Sequence, residues 1–315
     1  MDATWLDRTR LIHPRRQLIA RESLTGKAGV EFVDLPHAII RVRLAGKDHP
    51  TVVFAADPPN VIEHYDALFE EFSGWGRIVC FESPGFGFST PKRGFGFTLQ
   101  DYVQTLTDLL TALRAGPYVL AFSCVSVYAA LKVAADRPDL VSHLLLMQAP
   151  VWSEEVKWVR RIDRKGVIAT PYVGQAFMAW RRRWVMQRWY RAALPMTKPV
   201  APFVEPALRA FECGANFCLA SLFQRWFNEK EPIFSPVKQP TFVLWGKGDR
   251  THYHTDKRSI LNYVPDAAIS ELEGVGHFPE LEEPRRFREI LQGFLRAGTR
   301  EFATPKTLAS GADLN

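Results

Sequence analysis

The feature of this sequence best suited to chemistry is a cysteine between two serines, placed where a strand-like segment meets a helix-like one. Residues 118–122 are mostly apolar, Ser-Cys-Val-Ser follows at 123–126, and apolar residues then recur at spacings of three and four. This pattern predicts a strand, a sharp turn and a helix. A Ser or Cys on such a turn would project from the carboxyl end of a sheet, with helix amide groups facing the atom that it attacks. The same pattern also fits a buried strand–helix unit whose cysteine is a small core residue.

The segments around this turn alternate between strand and helix. Continuous apolar runs predict buried strands at 50–59, 77–82, 142–147 and 241–245. Helical spacing is found at 61–72, 99–113, 127–134 and 284–295. The alternation predicts a doubly wound, mostly parallel α/β sheet, which binds ligands at the carboxyl ends of its strands.

One segment, residues 151–237, interrupts the alternation, because it is rich in Arg and Trp and reads as helical. We interpret it as a helical lid inserted into the core. The expected division is an N-terminal extension at 1–27, a core at 28–150 and 238–297, the lid at 151–237 and a C-terminal tail at 298–315.

Composition predicts a folded, cytoplasmic protein. Of the 315 residues, 47% are hydrophobic and 23% charged, which is typical of globular proteins. The four cysteines lack paired metal-ligand spacing, which argues against a disulfide framework and against a zinc site. We find no secretory signal and no apolar run of membrane-spanning length. No metal and no cofactor are expected.

Positive charge is concentrated in one segment. Residues 151–198 contain eleven Lys or Arg and three acids, in a chain of net charge +6. Such a segment would suit an acidic carrier, coenzyme A or another anionic substrate, although a solvated helical face is the simpler interpretation. No nucleic-acid motif accompanies the sequence pI of about 9.2. The expected partner is therefore a small molecule, and the oligomeric state is not indicated.

Four motifs resemble those of the α/β-hydrolase family, over roughly residues 28–297. Ser-Pro-Gly-Phe-Gly-Phe-Ser at 83–89 resembles the strand-end loop D-x-P-G-x-G-x-S, and 122–126 lies where the family has its nucleophile elbow. Gly-Lys-Gly-Asp at 246–249 resembles G-x-x-D, and residues 274–284 resemble G-x-G-H-x-x-x-x-E-x-P. The resemblance implies an α/β-hydrolase fold and the chain order nucleophile, acid, histidine.

Two residues compete for the nucleophile position, because the elbow lacks both glycines of G-x-S-x-G. The family's strand typically begins with Pro seven residues before the nucleophile, and Pro117 is seven before Cys124. The Ala-Leu pair at 130–131 also fits a count from Cys124. The flanking residues do not distinguish the two candidates. Whether Cys124 or Ser123 is aligned with the serine of G-x-S-x-G, one bulky side chain stands where the pattern has glycine. We take Cys124 as the expected nucleophile and Ser123 as the alternative.

The resemblance also assigns the other roles. His277 would be the general base, and Asp249 would orient it and stabilise its charged form. The helix start and the histidine would favour a thiolate at Cys124. The backbone amides of Asp57 and Val125 would form the oxyanion hole. The family usually has His-Gly-x-Pro here, and the carboxylate of Asp57 would oppose a developing negative charge unless it is protonated or points away.

Three functions are compatible with these residues. The first is an enzyme that forms an acyl-thioester on Cys124 and hydrolyses an ester, thioester or lactone. The second is an acyltransferase or cyclising enzyme that passes the acyl group to an acceptor other than water. The third is a non-catalytic binding protein on the same fold, favoured by the missing glycines and Asp57 but opposed by the intact His277 motif. Because of Asp57 we expect weak activity on generic esters, with the native substrate supplying a cation or a proton-sharing group.

Overall fold

A computed structural model describes residues 2–9 and 26–302 of the chain, with side chains described as far as residue 296. The expected helix break at Pro14 and the expected loose tail beyond residue 302 lie outside the described residues. At the N-terminus, helix α1 (Thr4–Thr9) contacts the body of the protein. The Ser221 hydroxyl donates a hydrogen bond of 2.6 Å to the carboxylate of Asp7.

The centre of the molecule is a mixed β-sheet. Within the described residues it has nine strands, in the order β1-β2-β4-β3-β7-β8-β10-β11, and β6 pairs with β2. Every neighbouring pair from β4 to β11 is parallel, whereas β1, β2 and β6 pair antiparallel at one edge. This is the predicted α/β-hydrolase fold with a mostly parallel sheet. The strands of this sheet are β1 (Val30–Asp34), β2 (Ala38–Ala45), β3 (Thr51–Ala56), β4 (Arg77–Glu82), β6 (Thr90–Pro91), β7 (Tyr118–Ser123), β8 (Val141–Met147), β10 (Thr241–Gly246) and β11 (Ala268–Leu272).

The helices cover both faces of the sheet. Strand β3 is buried along its whole length, and its side chains alternate between two apolar clusters, as a strand covered on both faces requires. Val53 packs with residues of α3 and α4, while Val52 and Phe54 pack with residues of α2 and α10. The core helices are α2 (Asp66–Glu71), α3 (Leu99–Leu113), α4 (Ser126–Asp136), α9 (Pro279–Glu282) and α10 (Pro284–Phe302).

Four helices lie in the chain between β8 and β10. They are α5 (Trp152–Ile162), α6 (Val173–Ala193), α7 (Ala201–Glu212) and α8 (Leu219–Arg225). The segment is not helical throughout, because the short strand β9 (Asn216–Phe217) pairs antiparallel with β5 (Phe86–Gly87) and residues 229–240 have no regular structure. Across residues 2–9 and 26–302, no helix combines the length and the apolar character that crossing a membrane requires.

Candidate active site

Cys124 lies on the turn between strand β7 and helix α4. Its backbone has φ of +52°, which a non-glycine residue rarely adopts and which is a feature of strained functional turns. The Cys124 amide donates to the carbonyl of Met147 at 3.0 Å, and the Ser126 hydroxyl donates to the Ser123 carbonyl at 2.6 Å. Cys124 lines a cavity of about 660 Å³, whereas Ser123 is buried and is not among the residues lining it. The structure therefore places the thiol, not the Ser123 hydroxyl, at the cavity.

His277 and Asp249 form a buried hydrogen-bonded pair beside this turn. Nδ1 of His277 lies 2.7 Å from Oδ2 of Asp249. Thr251 donates to the other carboxylate oxygen through its amide at 2.8 Å and its hydroxyl at 2.7 Å. The Gln148 amide group donates to Oδ2 at 2.7 Å and accepts from the Gly246 amide at 3.1 Å. Asp249 is thus fixed by several donors in the loop after β10 and can hold one tautomer of the histidine.

The loop that carries His277 packs directly on the end of β10. A Cβ atom at Gly246 would lie 1.8 Å from the carbonyl oxygen of Gly276, so a side chain at Gly246 would displace the histidine loop. The His277 amide donates to the carbonyl of Ala193 at 2.9 Å, which ties the loop to the end of α6. Sγ of Cys124 and a ring nitrogen of His277 lie within 4.8 Å of each other.

Asp57 lies on the side of the imidazole that faces the cysteine. Its Oδ2 is 3.2 Å from Nε2 of His277, although the two atoms are not aligned as a hydrogen bond. The carboxyl group is almost completely buried, and burial raises its pKa. Among the turns, loops and caps of the described residues, no hydrogen bond is donated by the amide of Asp57 or Val125. Both amides remain candidates for the oxyanion hole.

Electrostatics changes one expectation about the thiol. Burial, followed by the carboxyl groups of Asp57 and Glu155, raises the pKa of Cys124 well above its usual range. Burial first, and then the neighbouring acids, therefore outweigh the histidine and oppose the thiolate that the motif predicted for the free protein. Burial alone would lower the pKa of His277, but Asp249 and then Asp57 raise it well above its usual value. Burial likewise opposes ionisation of Asp249, yet His277 lowers its pKa overall.

Comparison with known proteins identifies the family. The sequence model described as "Alpha/beta hydrolase family" matches residues 52–290 of this chain. The chain belongs to the alpha/beta hydrolase family. A 2-hydroxy-6-oxononadienedioate/2-hydroxy-6-oxononatrienedioate hydrolase of Dechloromonas aromatica is 20% identical over 228 residues, which are 70% of this chain and 76% of that protein. Epoxide hydrolase 1 of Caenorhabditis elegans is 20% identical over 275 residues, 81% of this chain and 67% of that protein.

Solved structures support the fold of this hydrolase. Epoxide hydrolase A of Mycobacterium thermoresistibile aligns with a TM-score of 0.70 and 15% identity, covering 86% of this chain and 99% of that one. Est816, titled as an N-acyl homoserine lactone degrading enzyme, aligns with a TM-score of 0.63 and 19% identity. The alignment covers 84% of this chain and 100% of that one. At these identities the likeness establishes the fold alone.

Two buried residues of the hydrolase site were not singled out from the sequence. Glu155 on α5 is fully buried, and the Cys124 thiol donates to its Oε1 at 3.8 Å. Burial raises the pKa of Glu155 to about 8. A signal was present, because Glu155 shares the apolar helix face of Trp152 and Val159 at spacings of three and four. A carboxyl on such a face must be neutral, paired or functional.

His252 is the second residue that was missed, and no pattern in the sequence marks it. Its ring stacks on both Trp158 and His277. The ring centroids are 5.0 Å apart for Trp158, with an interplanar angle of 4°, and 5.4 Å apart for His277, with an angle of 20°. Burial lowers its pKa to about 3, so the ring is neutral. Ligand atoms of Cys124, His252 and His277 lie within 4.8 Å of one another. A shared metal ion would have to lie in both imidazole planes, and stacked rings have no such common point.

The cavity above Cys124 has a volume of about 660 Å³ and is mostly apolar. Asp57, Cys124 and Val125 lie at its base, and Trp158 and Trp189 form part of its wall. Trp189 on α6 contacts the His277 ring edge to face, with centroids 5.0 Å apart. Several basic side chains of residues 151–198 line the cavity. Arg164, Lys165 and Arg188 are exposed, and Arg161 is half-buried.

Proposed function

We propose that this α/β-hydrolase is an acyl-transferring enzyme that forms a thioester on Cys124, with water as the usual acceptor. The observation that carries the proposal is the position of the Cys124 thiol, on a positive-φ turn, at the cavity and within 4.8 Å of a ring nitrogen of His277. A soft sulfur nucleophile next to an imidazole suits attack on an ester, thioester or lactone carbonyl. His277 acts as general base, with Asp249 orienting it through Nδ1.

The first half-reaction can be written with one proton in motion. Oδ2 of Asp57 and Nε2 of His277 face each other at 3.2 Å and both groups have raised pKa values, and we propose that the pair shares one proton in the free enzyme. In the reactive form that proton is on Asp57, and the lone pair of Nε2 takes the thiol proton as the bond from sulfur to carbon forms. The oxyanion then faces the amides of Asp57 and Val125 and a neutral carboxyl group. His277 returns its proton to the leaving group as the thioester forms.

The second half-reaction repeats these roles with a new nucleophile. Water attacks the thioester carbonyl, His277 accepts its proton, and the thiol leaves with that proton as the acid product forms. We propose that helices α5 and α6 act as a lid in both steps. Glu155 from α5 and Trp189 from α6 contact Cys124 and His277 respectively, so that displacement of these helices would open the site.

Acyl transfer to an amine or thiol is the second candidate, and Glu155 favours it. Its Oε2 is buried and has no hydrogen-bond partner among the described residues, while Oε1 contacts the thiol. The ionised form of Glu155, favoured above its pKa of about 8, could accept the proton of an incoming amine. The ratio of transfer to hydrolysis in the presence of added amines would separate the two outcomes.

Epoxide opening is the less favourable chemistry for this site, although several of the similar proteins are named as epoxide hydrolases. A thiolate that opened an epoxide would form a thioether, and water does not cleave a thioether. A thioester, in contrast, is readily hydrolysed. Turnover through Cys124 therefore requires an acyl substrate.

The test is turnover of matched esters, thioesters and lactones by two variants. Cys124→Ala should lose several orders of magnitude in kcat, as removal of a nucleophile generally does. Ser123→Ala should keep most of the activity, since Ser123 does not line the cavity. If Ser123→Ala lost more turnover than Cys124→Ala, Ser123 would be the nucleophile. Equal turnover by both variants would contradict a covalent mechanism at this turn.

A further inference from the structure

The mouth of the cavity carries basic side chains that the described residues leave without acidic partners. Five of them line the same cavity as Cys124 and form no ion pair with a described residue: Arg161, Arg164, Lys165, Arg188 and Arg250. Asp163 also lines the cavity and accepts the amide of Ala169 at 2.9 Å, and its single negative charge leaves the five cations in excess. Glu154, close to Arg161, is paired with Lys157 at 2.6 Å. The mouth is therefore strongly cationic.

A second concave site adjoins this mouth. It has a volume of about 340 Å³ and is lined by Trp184, Gln187, Arg188, Arg191, Ala192 and Arg250, and we call it the arginine recess. It shares Trp184, Arg188, Ala192 and Arg250 with the larger cavity, so the two adjoin each other. Trp184 is 48% exposed, and the Arg188 guanidinium lies 5.4 Å from its ring centroid. The Arg250 guanidinium donates to the Arg191 carbonyl.

This composition matches phosphate groups and a flat ring better than a single carboxylate. Guanidinium groups bind phosphate oxygens in pairs of parallel hydrogen bonds, and an exposed indole offers a face on which a base can stack. One carboxylate would leave most of the cations at the mouth without a partner. The apolar interior, in contrast, suits an uncharged acyl group.

We propose that the arginine recess binds the phosphate-bearing nucleotide end of a coenzyme A-type acyl thioester, whose acyl group enters the cavity of Cys124. The inference rests on the proposed thioester chemistry and names its substrate class. An acidic carrier protein would present the same kind of thioester on a convex surface. The concave recess, which adjoins the cavity, fits a small carrier, and binding of a carrier protein instead is one outcome of the test.

Binding can be measured without any turnover, by calorimetry with free coenzyme A at low and at physiological salt. The wild-type protein should bind, and binding should weaken as salt rises because the contacts are ionic. Arg188→Glu should weaken binding by roughly tenfold or more, since it also introduces repulsion. Arg160→Glu is the matched control, because Arg160 lies exposed on α5 and does not line either cavity. Equal loss in both variants, or no binding by the wild type, would overturn the proposal.

Single-turnover acylation separates this inference from the proposed function. The acyl coenzyme A and the N-acetylcysteamine thioester of the same acyl group differ in the phosphate-bearing part. The coenzyme A thioester should acylate Cys124 at lower concentration than the short thioester, and Arg188→Glu should bring the ratio of the two half-saturating concentrations close to one. Equal use of both thioesters would contradict coenzyme A binding at the recess but would still support thioester formation on Cys124. Binding of coenzyme A without acylation by either thioester would contradict thioester formation but would still support binding at the recess. Preference for a carrier-protein thioester over acyl coenzyme A would overturn the small-molecule assignment.

Discussion

The carboxylate oxygen Oδ2 of Asp57 lies 3.2 Å from Nε2 of His277, while Asp249 holds Nδ1 of the same ring at 2.7 Å. One imidazole thus faces two buried carboxyl groups, one that orients it and one beside the expected oxyanion. If both carboxyl groups were ionised, they would raise the barrier to forming the oxyanion, because it is a third negative charge nearby. Asp57 therefore has to be neutral, or paired with a positive group, when the carbonyl is attacked.

Asp57→Asn tests this requirement, because it removes the charge and keeps the shape of the side chain. Turnover of a generic ester such as p-nitrophenyl acetate should rise, on the order of tenfold, because the oxyanion no longer meets a carboxylate. The gain should be largest at high pH, where Asp57 is ionised in the wild-type protein. Turnover of a substrate that brings its own cation should fall.

Asp249→Asn is the matched control for that measurement. Asp249→Asn makes the same atomic change at Nδ1 of the His277 imidazole. It should lower turnover, because His277 loses the carboxylate that orients it. Unchanged rates in Asp57→Asn, at every pH, would mean that the charge of Asp57 does not reach the reacting carbonyl.

Glu155 should control the ionisation of the nucleophile. Its carboxyl group has a pKa of about 8, so it is ionised at the higher pH at which the buried thiol loses its proton, and it opposes that loss. Glu155→Gln should therefore move the pH curve for alkylation of Cys124 by iodoacetamide to lower pH. The measurement is best made in a Cys213→Ser background, because Cys213 is half-buried and would also react.

Glu154→Gln serves as the control for Glu155, since the two residues are adjacent on α5 and Glu154 pairs with Lys157 instead of the thiol. Its alkylation curve should coincide with that of the wild type. If Glu155→Gln also leaves the curve in place, the contact of 3.8 Å between Glu155 and Cys124 carries no electrostatic effect.

A buried ion pair next to the site should matter for stability. Arg41 and Glu82 are both almost fully buried and 3.1 Å apart, and Glu82 also accepts the amides of Ile62 and Phe88. Arg41 keeps its pair with Glu63 at 2.6 Å, so Glu82→Ala costs mainly the buried amides that lose their acceptor, and it should lower the free energy of unfolding by about 1–3 kcal/mol. Urea unfolding would measure this. Asp139→Ala, which breaks an exposed pair with Arg137, should change stability little, and equal effects of the two substitutions would contradict the account.

Much of the fold follows from local patterns. Continuous apolar runs predicted strands β3, β4, β8 and β10, because a strand covered on both faces has no polar side. Strand β11 was not predicted, since its sequence, Ala-Ile-Ser-Glu-Leu, alternates and is short. The helix expected at 61–72 begins with a turn of 3₁₀-helix, Ile62–Tyr65.

The candidate site was predictable only where residues lie in a sequence motif. Cys124, His277 and Asp249 each have a recognisable context, and their order along the chain predicted that they would meet. Glu155 and His252 reach the site through the packing of α5 and of the loop after Asp249, which depends on tertiary contacts. The ionisation of Cys124 depends on those same contacts, and this is why a thiolate was expected from the motif alone.

The most direct test of the account is the intact mass of the protein after brief exposure to acyl thioesters and activated esters. The account predicts a mass increase of one acyl group, mapped by peptide analysis to Cys124, absent from Cys124→Ala and retained in Ser123→Ala. His277→Ala should form the adduct much more slowly. An acyl group found on Ser123, or no adduct at all while the esters are consumed, would contradict the central claim.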